Sequence, residues 1–427
     1  MKEWNSFDKI IKGKGMWLID SKGNKMLDGV ASMWCNVWGH SNPELVRAIT
    51  NQSKKLQHSS MFNLTNEPAE RLAENLVNIS PGMHKVFFSD NGSTAMEIAI
   101  KLALQYWKNI GEKKKTKIAT IENGYHGDTF GAMSVGYVPE FFGKFKEQLF
   151  STIQFPVPNK YRIPKGFTFS DYQNYCIEKI EKKFSKNNNI AAFIMESGAQ
   201  VAGGVIIYPK GFQRKISQLC KKYDVLFVLD EIATGLGRLG SMIQYEEQKS
   251  TPDIVAYGKM LTGGYLTMAA TMTNKKIYDS YLGEFNDWKH LFHGHTYTGN
   301  PIAAAVANEN LKMYKTKSLI KKIQKTSKVF EKFYQEISEI DIVGDIRHKG
   351  MLMGIEIVTN RKKKTPIHPK KSINKIFFEE GKKQGIYLRT LGNIVMLVPP
   401  LAISEKELNL LLNGVIRTIK AVRLKVI

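Results

Sequence analysis

Apolar positions along this chain fall into short continuous runs separated by stretches of helical spacing. Val225-Leu226-Phe227-Val228-Leu229 is unbroken and rich in β-branched residues. It is long enough for one buried strand and too short for a helix. Residues 190–195 and Lys117–Ile121 read the same way. Residues 86–89 predict a strand, followed by a small polar turn and a helix through Lys101. Residues 17–28 predict a hairpin, two apolar strands around a turn with Gly23 and Asn24. Residues 43–56 and 66–79 have helical spacing, with Pro68 in the first turn of the second. Strands alternating with helices predict a parallel sheet covered on both faces. After about Asn310 the pattern changes. A long basic amphipathic helix is followed by strand-like residues 351–358, a helix near 373–384 and strand-like residues 395–398, which reads as a smaller α+β unit.

Composition narrows the class. A chain of 427 residues is too long for one ordinary core and suits a large and a small domain. Hydrophobic content of 43% with 24% charged residues is that of a soluble globular protein. The opening Met1-Lys2-Glu3-Trp4-Asn5 has no apolar signal core. The most apolar stretch, residues 190–207, is broken by Glu196 and Gln200, so no membrane partner is expected. Cys35, Cys176 and Cys220 are odd in number and far apart. They argue for a reducing, cytoplasmic setting and against a zinc site or any other metal centre. Cys220, before Lys221-Lys222, reads as a packed helix residue ahead of a reactive thiol. The net charge of +23 invites nucleic acid, but the lysines are spread along the whole chain. Loose, salt-sensitive contact with polyanions is expected, and no specific nucleic-acid partner.

The chemistry begins where the strand at 225–229 ends, in Asp230-Glu231. Acids at the ends of buried parallel strands sit where open α/β sheets bind ligands. Downstream, Tyr257-Gly258-Lys259-Met260-Leu261-Thr262-Gly263-Gly264 sets one lysine among glycines and apolar residues. A Schiff-base lysine with an acid for a pyridinium nitrogen is what pyridoxal 5'-phosphate (PLP) requires. Against this, a lone lysine among 62 Lys and Arg is usually a surface cation. Asp90-Asn91-Gly92-Ser93-Thr94 opens a predicted helix, as a plain N-cap or as a phosphate cup. In Asn123-Gly124-Tyr125-His126-Gly127-Asp128-Thr129, Tyr125 is a candidate to lie on a cofactor ring, and His126 or Asp128 to bond to substrate or cofactor. The alternative there is a Gly-rich turn with a half-buried tyrosine. Gly235-Leu236-Gly237-Arg238-Leu239-Gly240 spells the dinucleotide fingerprint. It does not follow its strand directly, and Lys259 stands about 20 residues on, where an acid belongs. It reads as a loop, with Arg238 a possible carboxylate ligand. His293-Gly294-His295 reads as a polar turn more readily than a metal pair, and Arg389 closes an apolar strand as a candidate carboxylate clamp.

Taken in order, these segments resemble the class III aminotransferases of PLP fold type I. The likeness covers nearly the whole chain. It rests on residues 89–93, 103–107, 124–135, 230–235, 258–264 and Gly299-Asn300-Pro301. Residues 125–135 and Ala233-Thr234-Gly235 point to the biotin-pathway branch, which aminates 8-amino-7-oxononanoate. The resemblance implies an aspartate-aminotransferase-like α/β fold, with a mostly parallel large domain and a smaller α+β domain. It implies an N-terminal segment at 1–45 joining the small domain, a large domain at 46–310 and a small domain at 311–427. It gives Lys259 the Schiff base and the proton transfer, Asp230 the pyridine nitrogen, Tyr125 the ring face, and Gly92 and Ser93 the phosphate. Thr296 is expected to reach the phosphate from the partner of an obligate homodimer. Trp34, Tyr125, Asp128, Arg238, Gly294 and Arg389 are the implied substrate contacts, with Arg389 ahead of Arg238 for the carboxylate. The family's N-terminal Trp-His-Pro-Tyr segment is not found, so an aromatic contact is missing or the start is truncated. Met33, Leu391 and Met396 stand where the branch has aromatic residues. S-adenosylmethionine is the donor by family default, with L-lysine the alternative these departures favour.

Overall fold

The computed structural model describes residues 7–426, so the opening Met1 to Asn5 lies outside the described residues. Seven strands form the central sheet, in the order Lys85–Ser89, Ala269–Thr273, Ile254–Tyr257, Leu226–Asp230, Ile190–Glu196, Lys117–Ile121, Ile153–Phe155. Every neighbouring pair is parallel except the two made by Ala269–Thr273, which runs backwards. The strands Ile190–Glu196 and Leu226–Asp230 are buried along their whole length, which is why they read as continuous apolar runs. Ala269–Thr273 is equally buried but is built of Ala, Thr and Met, and its pattern predicted nothing.

Helices cover the sheet as expected. Gly92–Asn109 buries Ala95, Ala99, Ala103 and Trp107 along one face, and small residues let it lie close to the strands. Pro43–Ser53 and Glu67–Ile79 start with a proline in the first turn and with Asn42 and Asn66 as side-chain caps. The hairpin Trp17–Asp20 with Lys25–Asp28 forms, and its second strand pairs in parallel with Ile386–Tyr387. The N-terminal segment is thereby sewn to the C-terminal part of the chain.

The long helix expected past Asn310 is instead four pieces, Pro301–Thr316, Leu319–Thr326, Lys328–Glu331 and Tyr334–Glu339. Ser318 takes a left-handed φ of 50° at the first break. A separate sheet runs Val343–Lys349, Leu352–Asn360, Ile394–Leu397, Arg389–Leu391, with helices Ile373–Lys383 and Glu405–Val426 beside it. Among the described residues no helix is long and apolar enough to cross a membrane, and no cluster of three or more metal-ligating side chains occurs. Cys176 and Cys220 are buried, and burial pushes both thiols up, as befits packed residues.

Candidate active site

The carboxyl ends of the parallel strands and the loops after them enclose a cavity of about 640 Å³. Lys259, Asp230, Tyr125, Asp128, Gly92, Ser93 and Trp34 all line it. Asp230 is the last residue of its strand and 4% exposed. One carboxylate oxygen accepts the Ile232 N–H at 2.8 Å, and the other lies 2.8 Å from Nδ1 of buried His126. A carboxylate only accepts, so His126 donates from Nδ1. Its Nε2 is buried without a partner. Glu196 stands beside Asp230 in strand register and also lines the cavity. Its carboxyl accepts the N–H of Tyr125 at 3.2 Å and of Val201 at 2.9 Å. Burial pushes it up to about 7; Asp230 adds to this, and His126 with the two N–H donors opposes it.

Lys259 opens the short 3₁₀ turn Lys259–Thr262 and holds a left-handed φ of 41°. Few non-glycine residues adopt that conformation, and such strain gathers at functional sites. Desolvation pushes its amine below the usual lysine range, with Asp230 and Glu196 opposing. Nζ lies 5.4 Å from the centre of the Trp34 ring, near enough for a cation–π contact. Trp34 is itself left-handed, with φ 66°.

Across the cavity, the helix Gly92–Asn109 presents its N-terminus. Asn91 caps it, accepting the Thr94 N–H, and Thr94 Oγ1 accepts the Asn91 N–H in return. The N–H groups of Gly92 and Ser93, first in the helix, have no intrahelical acceptor. Ser93 Oγ accepts the Asp128 N–H at 3.0 Å. A Cβ on Gly127 would lie 2.0 Å from that hydroxyl, at a φ of 125°, so only glycine fits. Tyr125 donates its hydroxyl to Asp128 at 3.0 Å and packs flat on Phe142. Burial, then Asp128, pushes its phenol up, so it remains a donor.

An amine, an acid and a helix N-terminus around one cavity match what a phosphorylated pyridine aldehyde needs. A sequence profile of the family described as aminotransferase class-III matches residues 2–419. The chain belongs to that family. It is 43% identical to an adenosylmethionine-8-amino-7-oxononanoate aminotransferase from Staphylococcus aureus, over 93% of this chain and 88% of that protein. The crystal structure of the enzyme of the same name from Methanocaldococcus jannaschii matches with a TM-score of 0.92 and 40% identity, covering 98% of this chain and 94% of that one. An omega transaminase from Pseudomonas jessenii in complex with PMP matches with a TM-score of 0.93 and 29% identity, covering 98% and 94%. Class-III aminotransferases depend on PLP, and the fold is the type I fold of that family. The residues present fit the group: Lys259 for its aldehyde, Asp230 for its nitrogen, and a cup without room for a Cβ at Gly127 for its phosphate.

Other residues expected at this aminotransferase site stand apart from the cavity. Arg389 lines a second cavity of about 590 Å³, which shares Met33 and Cys35 with the first. Its Nη1 donates to Met33 Sδ at 2.8 Å. Arg238 does not line the cavity. Gly237 and Gly240 hold left-handed φ of 92° and 100° and turn the loop inward. The guanidinium is 1% exposed and donates to the carbonyls of Met351 at 3.0 Å and Pro399 at 2.7 Å. The GxGxxG spelling is indeed a loop, since no helix follows it until Gln244–Glu247. Gly294 and Thr296 are exposed and lie outside the cavity of their own chain; the Thr296 carbonyl accepts from His58. His295 binds Asp90 at 2.9 Å and His293 at 2.9 Å, so the pair ties a loop to the cup. Leu391 and Met396 pack in the cluster that holds Trp34. Sequence reasoning left Glu196 unassigned and did not join His126 to Asp230. The acid ending the run at 190–195 was the signal for the first.

Proposed function

We propose that this aminotransferase converts 8-amino-7-oxononanoate to 7,8-diaminononanoate in biotin biosynthesis, with S-adenosylmethionine as donor and L-lysine as the alternative. Relatives carrying that activity in their names, matched over nearly the whole chain, support the substrate. The observation that carries the chemistry is the meeting of the Lys259 amine and the Asp230 carboxylate in one cavity. When bound, PLP supplies an electron sink for the carbon that gains or loses nitrogen.

The rest falls to the chain's own side chains. Desolvation favours the neutral Lys259 amine, the form that attacks a carbonyl and accepts a proton. Asp230, fixed by His126 and the Ile232 N–H, presents an acceptor that holds a proton on the pyridine nitrogen. The free N–H groups of Gly92 and Ser93 suit a phosphate. Tyr125 offers a ring face, and Asp128 an acid for the amino end of the substrate. The Arg389 fork suits a carboxylate, and Met33 is the weak partner that a substrate would displace. We read the working form as a homodimer with the site at its interface. Phe285, Trp288 and Phe292, 75%, 63% and 66% exposed, with the open loop carrying Gly294 and Thr296, support a covered face there. We also read 1–45, 46–310 and 311–427 as the structural divisions, and the cytoplasm as the setting, which three free cysteines support.

The test is a single turnover of PLP-loaded protein. S-adenosylmethionine and L-lysine, side by side, are expected to bleach the visible band in at least one arm. Added 8-amino-7-oxononanoate then restores the band and yields the diamine. Lys259→Ala abolishes both. Protein that takes up no PLP, or that is bleached only by ornithine, 4-aminobutyrate or a diamine and leaves 8-amino-7-oxononanoate unchanged, overturns the reading.

A further inference from the structure

Asn310 lies in the middle of the helix Pro301–Thr316, is 0% exposed, and does not line the cavity. Asparagine is a poor residue for a helix interior, because its side chain competes for backbone hydrogen bonds. Buried, it must satisfy both ends of its amide. It does so across the fold. Nδ2 donates to the carbonyls of Met260 at 2.8 Å and Leu261 at 3.0 Å. Oδ1 accepts the indole N–H of Trp38 at 2.7 Å. An indole only donates and a carbonyl only accepts, so the amide has one orientation. The two carbonyls belong to the 3₁₀ turn that Lys259 opens. The Met260 carbonyl already accepts the Gly263 N–H at 3.0 Å, so Asn310 gives it a second donor and also pairs the Leu261 carbonyl.

The other arm of the clamp reaches the same amine. Trp38 lies four residues beyond Trp34, whose ring faces Lys259 Nζ. Trp38 is held in turn by edge contact with Tyr314 and by Lys317 Nζ at 5.5 Å from its centre. One buried amide therefore joins the segment beneath the lysine amine to the turn that carries its backbone. Lys259 sits at an unfavourable φ of 41°, which a loose turn would relax.

We propose that Asn310 is a positioning residue for Lys259: it fixes the strained turn so that the amine points at the cavity. The proposal rests on the reading of Lys259 as the residue that joins PLP. Asn310→Asp keeps the size and the acceptor for Trp38 but turns a carboxylate on two carbonyl oxygens. Displacement of a reacting group by about 1 Å costs on the order of 100-fold in rate.

The experiment uses PLP-loaded full-length protein, wild type, Asn310→Asp, Asn310→Ala, Trp38→Phe, Asn308→Asp and Lys259→Ala. Asn308 lies on the same helix and bonds to Pro68 and Asn75, away from the lysine turn. Three readouts are taken: the midpoint pH of the visible band, the fraction of cofactor fixed to Lys259 by borohydride, and the bleaching rate with whichever donor bleaches wild type. Asn310→Asp, or Asn310→Ala should the acid not fold, is expected to move the midpoint by on the order of one pH unit. It is expected to lower the fixed fraction and to slow bleaching on the order of 100-fold. Trp38→Phe is expected to shift all three less, and Asn308→Asp none. Wild-type values in both Asn310 variants overturn the positioning role alone. If neither folds, wild-type values in Trp38→Phe overturn it, and the smaller shift supports it. Equal changes in Asn308→Asp also overturn it, as a general effect of damaging the helix. Wild-type protein that binds no PLP, or fixes it elsewhere than Lys259, overturns the underlying reading instead.

Discussion

Replacing Glu196 by glutamine in the cofactor-free protein is expected to change sign with pH. The native carboxyl is pushed up to about 7 from 4.5, chiefly by burial. Raising a folded carboxyl pKa destabilises the fold above the unfolded value. The penalty is absent below about pH 4.5, grows as pH rises, and is complete above about pH 7. Glutamine never ionises and escapes it. Between pH 5 and pH 8 the variant should gain about 3 kcal/mol relative to wild type, two pKa units at about 1.4 kcal/mol each. Against this, Glu196 accepts two backbone N–H groups and glutamine has one oxygen. One buried donor is left unpaired at every pH, which costs roughly 1–3 kcal/mol. The variant is therefore less stable at pH 5 and as stable or more so at pH 8. For 427 residues, an unfolding entropy near 2 cal/mol/K per residue turns 3 kcal/mol into roughly 3 °C. Thermal unfolding of both proteins at the two pH values measures it, and groups common to both cancel. A Tm difference that is the same at pH 5 and pH 8 refutes the claim that burial raises the Glu196 carboxyl.

Asp230→Asn replaces the carboxylate acceptor by an amide, and the bleaching rate in rapid mixing is expected to fall about 10²–10⁴-fold. Gly127→Ala forces a Cβ to 2.0 Å from Ser93 Oγ at a φ of 125°. PLP affinity, titrated by fluorescence, should drop at least about 10-fold, the equivalent of about 1.4 kcal/mol. The two arginines separate by kinetics. Arg389→Ala should raise KM for the keto acid about 10- to 100-fold, corresponding to the roughly 1.5–3 kcal/mol of a charged hydrogen bond. Arg238→Ala should instead lower Tm by several degrees, because it leaves the Met351 and Pro399 carbonyls unpaired.

Much of the sheet was legible because strands buried on both faces must be apolar throughout, as at Ile190–Glu196 and Leu226–Asp230. Ala269–Thr273 was not, since its two alanines and Met272 dilute the strand signal of Thr271 and Thr273. The break at Ser318 has neither glycine nor proline to mark it. At the site, Lys259, Asp230 and the helix opening at Gly92 announce themselves by residue type and order. The burial of Arg238 was not legible, because its partners Met351 and Pro399 lie more than 100 residues on. Asn310 was invisible for a plainer reason: one asparagine in a helix has no local signal for partners 50 residues away.

The backward strand Ala269–Thr273 has a consequence for synthesis. Among the described residues it is the sheet neighbour of Lys85–Ser89, which stands at the edge. Ala269 is made about 180 residues after Ser89, with which it pairs. At roughly 5–20 residues per second, a nascent chain carries the cup-bearing strand without its mate for about 10–40 s. During that interval an apolar edge, Val86-Phe87-Phe88, is open to any strand that meets it on the ribosome, and a chaperone that shields it would raise the yield of folded enzyme.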